Sequence, residues 1–316
     1  MDFKWLALIF NDNILIHTII PPYIFTISLA GLLFNSFVLV VFFAHKDRLT
    51  VAEIYLSNMA LADFILLCSL PFWAMNILNE FNWPYGEALC KIVNALIIIN
   101  FYTSIFTLVM ISIDRYIAFV KPMKASWLRR TLYAKVICFI LWILGVLLST
   151  PTIAHRKVKF FEDYETTSCV LDYTHDSYWK LAHQIVINVV GFVLPVLVIV
   201  FSMYAVTLVF LLCWGPFQVI TFLDILCDVN VLDEKLWSDS LDIGRQLSAY
   251  LAFLNSVLNP LLYVFSGQYF RKKVSAIYRK TRYQRRGSDM TTYQLSLDLH
   301  SGSTLHPGHQ CAWNHL

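Results

Sequence analysis

The sequence predicts an all-α fold: a bundle of seven membrane-spanning helices followed by a short amphipathic helix on the cytoplasmic face. Three observations carry this. Hydrophobic residues make up 58% of the 316-residue chain and charged residues only 14%, against roughly 25% charged in a soluble domain. The charges lie in blocks between long runs that hold almost none, as expected where a charge at the bilayer centre costs about 2.5–3.5 kcal/mol or more. Five of these runs are each long enough to cross about 30 Å of hydrocarbon as a helix. A sixth stretch is too long for one helix.

The five runs are 22–44, 52–78, 88–113, 134–154 and 246–270. From Leu181 to Leu223 no Asp, Glu, Lys or Arg occurs across 43 residues. One helix of that length would reach about 65 Å, so two spans joined by a minimal turn are predicted, which makes seven. Basic residues set the orientation. They gather after the first span (Lys46, Arg48), after the third (Lys121, Lys124, Arg129, Arg130) and after the seventh (Arg271, Lys272, Lys273, Arg279, Lys280). These three segments share one side, the cytoplasm, so the N-terminus is extracellular and the chain is a multi-pass plasma-membrane protein. The apolar stretch Trp5–Phe10 is too short for a cleavable signal, and the first span is expected to direct insertion itself. The expected divisions are an extracellular N-terminus 1–21, a transmembrane domain 22–265, an amphipathic membrane-surface helix 266–283 and a disordered Ser/Thr-bearing tail 284–316. Phe270, Val274 and Ile277 supply the apolar face of that surface helix.

Polar residues inside the spans are the functional candidates. Asp63 is the one mid-span acid, with Asn100, Ser104, Asn255 and Asn259 available on other spans. It is either a neutral carboxyl hydrogen-bonded in the bundle or the centre of a polar switch network, with a sodium ion as candidate ligand; an ionisable group at this depth favours the second. Asp114-Arg115-Tyr116 closes the cytoplasmic end of the third span, where an acid–base pair can hold a closed state. Prolines in or near five spans, Pro71, Pro151, Pro195, Pro216 and Pro260, either bend the helices or act as hinges. Cys90 and Cys169 both fall on the oxidising outer side, where they form a disulfide pinning a loop over the bundle mouth or stay as thiols. The outer ends of spans six and seven carry Asp224, Asp228, Asp233, Glu234, Asp239 and Asp242 against only Lys235 and Arg245. Most of these acids keep a loop in water. Asp224 and Asp242 sit at helix ends bordering the cavity, where two carboxylates focus the field on a cationic ligand.

These residues together resemble the rhodopsin-like G-protein-coupled receptors. The matching pieces are Asn35, Leu61-Ala62-Asp63, Cys90, Asp114-Arg115-Tyr116, Trp142, Pro195, Cys213-Trp214-Gly215-Pro216-Phe217 and Asn259-Pro260-Leu261-Leu262-Tyr263, in order and at the right depth. Each piece alone is weak, and the ordered set is specific. Finer stretches are similar to the bradykinin receptors, the type-two receptor more than the type-one: Thr50–Leu56, Leu70–Ala74, Ser112–Tyr116, Thr221–Asp224 and Phe270–Lys273. The resemblance implies a receptor for kinin-type cationic peptides, signalling through phospholipase C and calcium. It implies that Asp224 and Asp242 receive the arginine at the peptide's N-terminus and that Arg156 belongs to the loop wall. Trp73, Phe217, Gln246 and Phe253 would line the deeper pocket, with Trp214 as a switch beneath the ligand. Asp114, Arg115, Tyr116, Pro260 and Tyr263 would serve G-protein coupling. The implied partners are a heterotrimeric G protein, arrestin and receptor kinases acting on the tail, and membrane lipid; no nucleic acid is expected.

One departure matters. Pro195 and Pro216 are only 21 residues apart, which leaves about eight or nine residues per helix below each proline, or roughly 13 Å. Spans five and six are therefore shortened on the cytoplasmic side, and a basic third cytoplasmic loop is missing. The chain is expected to couple poorly or not at all; a non-signalling or decoy receptor that still captures peptide is the alternative function. Transporters are disfavoured because no internal repeat is visible. An opsin would need a lysine in the seventh span, and residues 246–270 hold none. An enzyme is not expected, since no nucleophile elbow, metal-ligand set or phosphate loop occurs.

Overall fold

The computed structural model describes residues 15–44, 49–120, 130–162, 165–173, 177–200, 204–229, 231–232, 234–266, 274–276 and 278–279. With no water in hydrocarbon, a spanning backbone must satisfy its own polar groups, and helices do so within one segment. Four long helices open the chain: α1 (Ile20–Ala44), preceded by a π turn at Leu15–Ile19, then α2 (Val51–Leu78), α3 (Gly86–Val120) and α4 (Thr131–His155). The fifth span is interrupted. It runs as α5 (Ser177–Asn188), a π segment Val189–Val193, and α6 (Leu194–Val200). Pro195 has no N–H to donate backwards, so the wider turn falls just before it. The sixth span is α7 (Tyr204–Asp228) and the seventh α8 (Glu234–Ser266).

Six of these spans are long and apolar enough to cross a membrane by composition. The seventh, α8, is 33 residues long and opens on a charged outer segment holding Glu234, Lys235, Asp239, Asp242 and Arg245; Ser248, Asn255, Ser256 and Asn259 further along it are buried in the bundle. Helix α1 packs against both α2 and α8, and α8 packs against α7, which closes the ring. Residues 267–316 form a separate unit. Within it Val274–Ala276 and Tyr278–Arg279 are helical. Phe270 and Ile277 of the expected surface helix lie outside the described residues, as does the tail.

The burial pattern is that of a bilayer protein. Helix α4 buries its small residues Ala134, Cys138, Gly145, Ser149 and Thr152 and exposes Leu132, Val136, Phe139, Ile143 and Leu147. Hydrocarbon replaces water outside, so close packing of small and polar residues holds the bundle together instead. Hydrogen bonds between helices help to fix it. Trp142 Nε1 donates to Asn58 Oδ1 at 2.9 Å, and Asn58 Nδ2 donates to Thr107 Oγ1 at 3.1 Å, joining α4, α2 and α3. Asn35 Nδ2 donates to the Ser256 carbonyl at 3.0 Å, joining α1 to α8. A reciprocal cap starts α2: the Thr50 N–H donates to Glu53 Oε2 at 2.8 Å, and Thr50 Oγ1 accepts from the Glu53 N–H at 3.4 Å.

The sequence reading did not anticipate the outer hairpin. Strands β1 (Arg156–Phe161) and β2 (Thr166–Leu171) pair antiparallel, with Val158 opposite Cys169 and Arg156 opposite Leu171. Cys169 is bonded to Cys90 at the outer end of α3, with Cα atoms 5.8 Å apart, so of the two expected outcomes the disulfide forms. The Trp83 N–H donates to the Thr167 carbonyl at 2.7 Å and Ser168 Oγ donates to the Phe81 carbonyl at 3.0 Å, holding the hairpin against the loop between α2 and α3.

How the chain divides below Pro195 and Pro216 turns on residues 201–203, which lie outside the described residues. Helix α6 is described to Val200, while α7 begins at Tyr204, twelve residues before Pro216.

Gly31 lets α1 pack closely on α2 and α8: a Cβ there would lie 2.6 Å from Leu67 Cδ1 and 3.2 Å from Val257 Cγ2. Gly31→Leu is expected to lower the stability of the bundle by about 1–3 kcal/mol through overpacking. Thermal unfolding in detergent checks this, with Gly215→Leu, where a Cβ meets nothing within 4 Å, as the comparison.

Candidate functional site

A cavity of about 590 Å³ lies among the outer halves of the helices, beneath the hairpin. Its walls come from α2 (Trp73), α3 (Asn94, Phe101), α5 (His183, Gln184), α7 (Phe217, Thr221, Asp224) and α8 (Gln246, Tyr250, Phe253), with Arg156 and Tyr173 from the outer loop. Trp214 forms part of the same lining. It is held in an aromatic cluster, with its ring centroid 4.5 Å from that of Phe101 and an edge contact to Phe217 at 6.1 Å. Six of the seven ligand-site residues expected from sequence therefore meet: Trp73, Arg156, Phe217, Asp224, Gln246 and Phe253. Asp242 does not line the cavity. Its side chain is 71% exposed and touches the site only through Arg245, because it lies one turn further out on α8 than Arg245.

The acids at the rim have partners. Arg245 Nη2 lies 3.0 Å from Asp224 Oδ1 and 3.7 Å from Asp242 Oδ1. Gln184 Nε2 donates to the other oxygen of Asp224. Lys180 pairs with Asp228 at 2.8 Å beside them. Spacing of i, i+3 from Asp242 places Arg245 on the same helical face, a signal readable in sequence. The contact of Gln184 with Asp224 crosses 40 residues of chain and carries no local signal.

Arg156 is the other charged wall. Its Nη1 donates to the Cys169 carbonyl at 3.1 Å, while its Nε has no hydrogen-bond partner. Burial pushes its guanidinium down to about 10, with the nearby Tyr173 phenol opposing that shift, so it stays charged at neutral pH. Burial pushes Tyr173 up to about 12. Its hydroxyl is 2.8 Å from His183 Nδ1. Buried polar atoms without partners recur around the lining: Trp73 Nε1, Thr152 Oγ1, Arg156 Nε, His183 Nε2, Gln184 Oε1, Trp214 Nε1 and Gln246 Oε1. Each costs about 1–3 kcal/mol if left unsatisfied. The cavity is thus aromatic, with a scattering of unused donors and acceptors. Such a surface suits a molecule that brings its own amides.

Below the cavity, Asp63 is fully buried. Its Oδ1 accepts from Asn100 Nδ2 at 2.9 Å and from Ser256 Oγ at 2.8 Å, and its Oδ2 accepts from Asn259 Nδ2 at 2.9 Å. The expected network holds for Asn100 and Asn259. Ser104 lies beside the carboxylate, yet its hydroxyl has no well-formed bond. Asn255 does not join; its Oδ1 is buried without a partner. Ser256, its neighbour in sequence, takes the place expected of Asn255, donating to the carboxylate in its stead. A carboxylate beside the orphaned Ser104 hydroxyl fits a small hard cation, which takes oxygen ligands. Among the described residues no cluster of three His, Cys, Asp or Glu offers a metal site. Asp114 is buried at the inner end of α3, and Pro260 lies within α8. The side chains of Arg115, Tyr116 and Tyr263 lie outside the described residues.

Comparison with known proteins agrees with this geometry. The family described as 7 transmembrane receptor (rhodopsin family) matches residues 34–208. The B1 bradykinin receptor of Macaca fascicularis is 39% identical over 296 residues, covering 84% of this chain and 84% of that receptor. The human B1 receptor matches to the same extent. The B2 bradykinin receptor of Oryctolagus cuniculus is 40% identical over 294 residues, covering 84% of this chain and 80% of that receptor. B1 receptors match more strongly and over more of their own length, which overturns the leaning to type two taken from short stretches. The alignment with the macaque receptor is 296 positions long, while 84% of 316 residues is about 265, so about thirty positions of that relative face no residue here. The protein is a multi-pass membrane receptor and not an enzyme: the chain belongs to the rhodopsin family of seven-transmembrane receptors, as a relative of the bradykinin receptors.

Proposed function

We propose that the chain is a cell-surface receptor that captures kinin-type peptides in its outer cavity. The observation that carries the reading is the lining: aromatic walls around buried polar atoms that the protein itself leaves unpaired. A peptide supplies both apolar side chains and backbone amides to match them. The names of the B1 and B2 relatives support a bradykinin-like ligand. In this reading the peptide's N-terminal arginine approaches Asp224 and Asp242, and its C-terminal carboxylate meets Arg156, whose Nε is unused. Trp73, Gln246 and Phe253 line the peptide's path, and Trp214 with Phe217 senses its depth.

Membership of the family supports G-protein coupling in general, through the inner end of α3 at Asp114, Arg115 and Tyr116 and through Pro260 and Tyr263 in α8. Phospholipase C and calcium would be the branch engaged, with arrestin and receptor kinases acting on the tail. One observation favours a second reading. Pro195 and Pro216 are only 21 residues apart, and about thirty positions of the macaque receptor have no counterpart in the chain. A junction this short removes the third cytoplasmic loop, against which a G protein would dock. The second reading is a receptor that binds peptide without signalling.

Three outcomes are expected. Labelled bradykinin should bind saturably to cells displaying the chain, and Arg156→Ala should weaken it by about tenfold or more, since hydrogen bonds to charged groups contribute about 1.5–3 kcal/mol. A C-terminally amidated peptide should lose much less, and equal losses for both would remove the assigned contact. Sodium should lower agonist affinity in the native chain and have no effect in Asp63→Asn; sodium sensitivity surviving that change would place the ion elsewhere. Cells that bind the peptide should show no calcium rise, and a robust rise would exclude the non-signalling reading.

A further inference from the structure

The contact that the acidic rim makes with its own chain bears on which peptides it prefers. Asp224, on α7, has both carboxylate oxygens engaged: Oδ1 by Arg245 Nη2 at 3.0 Å, and Oδ2 by the Gln184 amide. The same Arg245 nitrogen lies 3.7 Å from Asp242 Oδ1. One guanidinium nitrogen thus sits between the two carboxylates to which a ligand's guanidinium would go. Arg245 lines the cavity, and its side chain is 41% exposed, so it is a rim group able to swing into solvent. Asp224, with a side chain only 11% exposed, is the fixed member.

The electrostatic consequence follows by counting charges. Two carboxylates alone present a charge of −2 to an incoming cation. With Arg245 between them they present −1, and the neighbouring Lys180–Asp228 pair adds nothing net. A ligand arginine arriving at Asp224 meets the positive charge of Arg245. To pair bidentately it must displace that side chain. The exchange replaces one guanidinium–carboxylate pair by another, so the net gain is the small difference between two similar pairs. Had the carboxylates been unpaired, the ligand would instead have relieved a buried charge, which is where close charge pairs contribute most.

We propose that Arg245 is an internal counter-ion that stands in for the ligand's guanidinium and so relaxes the receptor's requirement for a cationic N-terminal residue. Arg245 is then a specificity-determining residue. Peptides without the N-terminal charge bind the native chain nearly as well as those with it. The proposal rests on the reading of the cavity as a kinin-type peptide site.

The test is a binding cycle on the full chain in membranes, with two probes: fluorescent bradykinin, and the same peptide with its N-terminal arginine replaced by citrulline, which keeps the shape and removes the charge. The native chain is expected to prefer the arginine peptide by less than about threefold, and Arg245→Gln by about tenfold or more, since close interfacial charge pairs couple at that level or above. Arg245→Lys keeps the positive charge and should behave as the native chain does. Asp242→Asn, at an exposed position, should remove the remaining preference or reverse it, and this arm stands even if Arg245→Gln fails to reach the surface. A native preference of tenfold or more for the arginine peptide overturns the inference, as does an equal ratio in the native chain and Arg245→Gln. If neither peptide binds any displayed variant, the peptide-receptor reading falls and takes this inference with it; binding with an unchanged ratio removes the inference alone.

Discussion

Asp63 is buried where there is no water to solvate it, and the way its carboxylate is satisfied sets how three helices meet. Asn100 on α3 and Ser256 and Asn259 on α8 all donate to it from within 3 Å. A polar group left unsatisfied in hydrocarbon costs several kcal/mol, so α2, α3 and α8 must converge at this depth. Asn35 extends the constraint, donating to the carbonyl of Ser256 and so bringing α1 to the same point. Since α8 also packs on α7, the position of the sixth span is inherited from this polar centre. Large apolar residues then face outward by default, because they are the ones lipid accepts.

The outer half is built on top of that centre by different means. The disulfide Cys90–Cys169 ties the hairpin to α3, and the Trp83 and Ser168 bonds tie it to the loop between α2 and α3. Arg156, at the hairpin's first residue, places a charged group in the cavity wall. Gly191 lets the π turn of the fifth span approach Phe101, where any Cβ would collide with the ring. Phe101 in turn packs on Trp214. The cavity floor is therefore aromatic and closely packed, while its rim, where Arg245 and Lys180 are partly exposed, is charged.

Much of this was legible in the sequence, for physical reasons that also mark where legibility stops. A bilayer writes its thickness into the chain as charge-free length, so the spans could be counted, including two within Leu181–Leu223. Asp63 announced itself as an acid at the wrong depth, and Cys90 and Cys169 as two cysteines on an oxidising side. Side-chain partners across helices were less readable. Asn255 and Ser256 are adjacent, and only the helix rotation decides which one reaches Asp63. Asp224 and Asp242 looked alike in sequence, yet one is buried against Gln184 and the other points into solvent. The hairpin was missed because Arg156–Phe161 and Thr166–Leu171 are short, and strand pairing is a non-local choice. The leaning to the type-two receptors came from short stretches and failed against the full-length comparison, since such stretches sample only a few dozen positions.

The proposed non-signalling reading divides the molecule into an outer half that captures peptide and an inner half without the loop on which a G protein would dock. Binding linkage tests that division most directly, because two sites that are coupled must each change the other's affinity by the same factor. The measurement is bradykinin affinity for the purified chain in lipid nanodiscs, with and without an excess of nucleotide-free heterotrimeric G protein. The account predicts saturable binding whose Kd is the same in both. A Kd tightened about fivefold or more by the G protein, or no saturable binding at all, would contradict it.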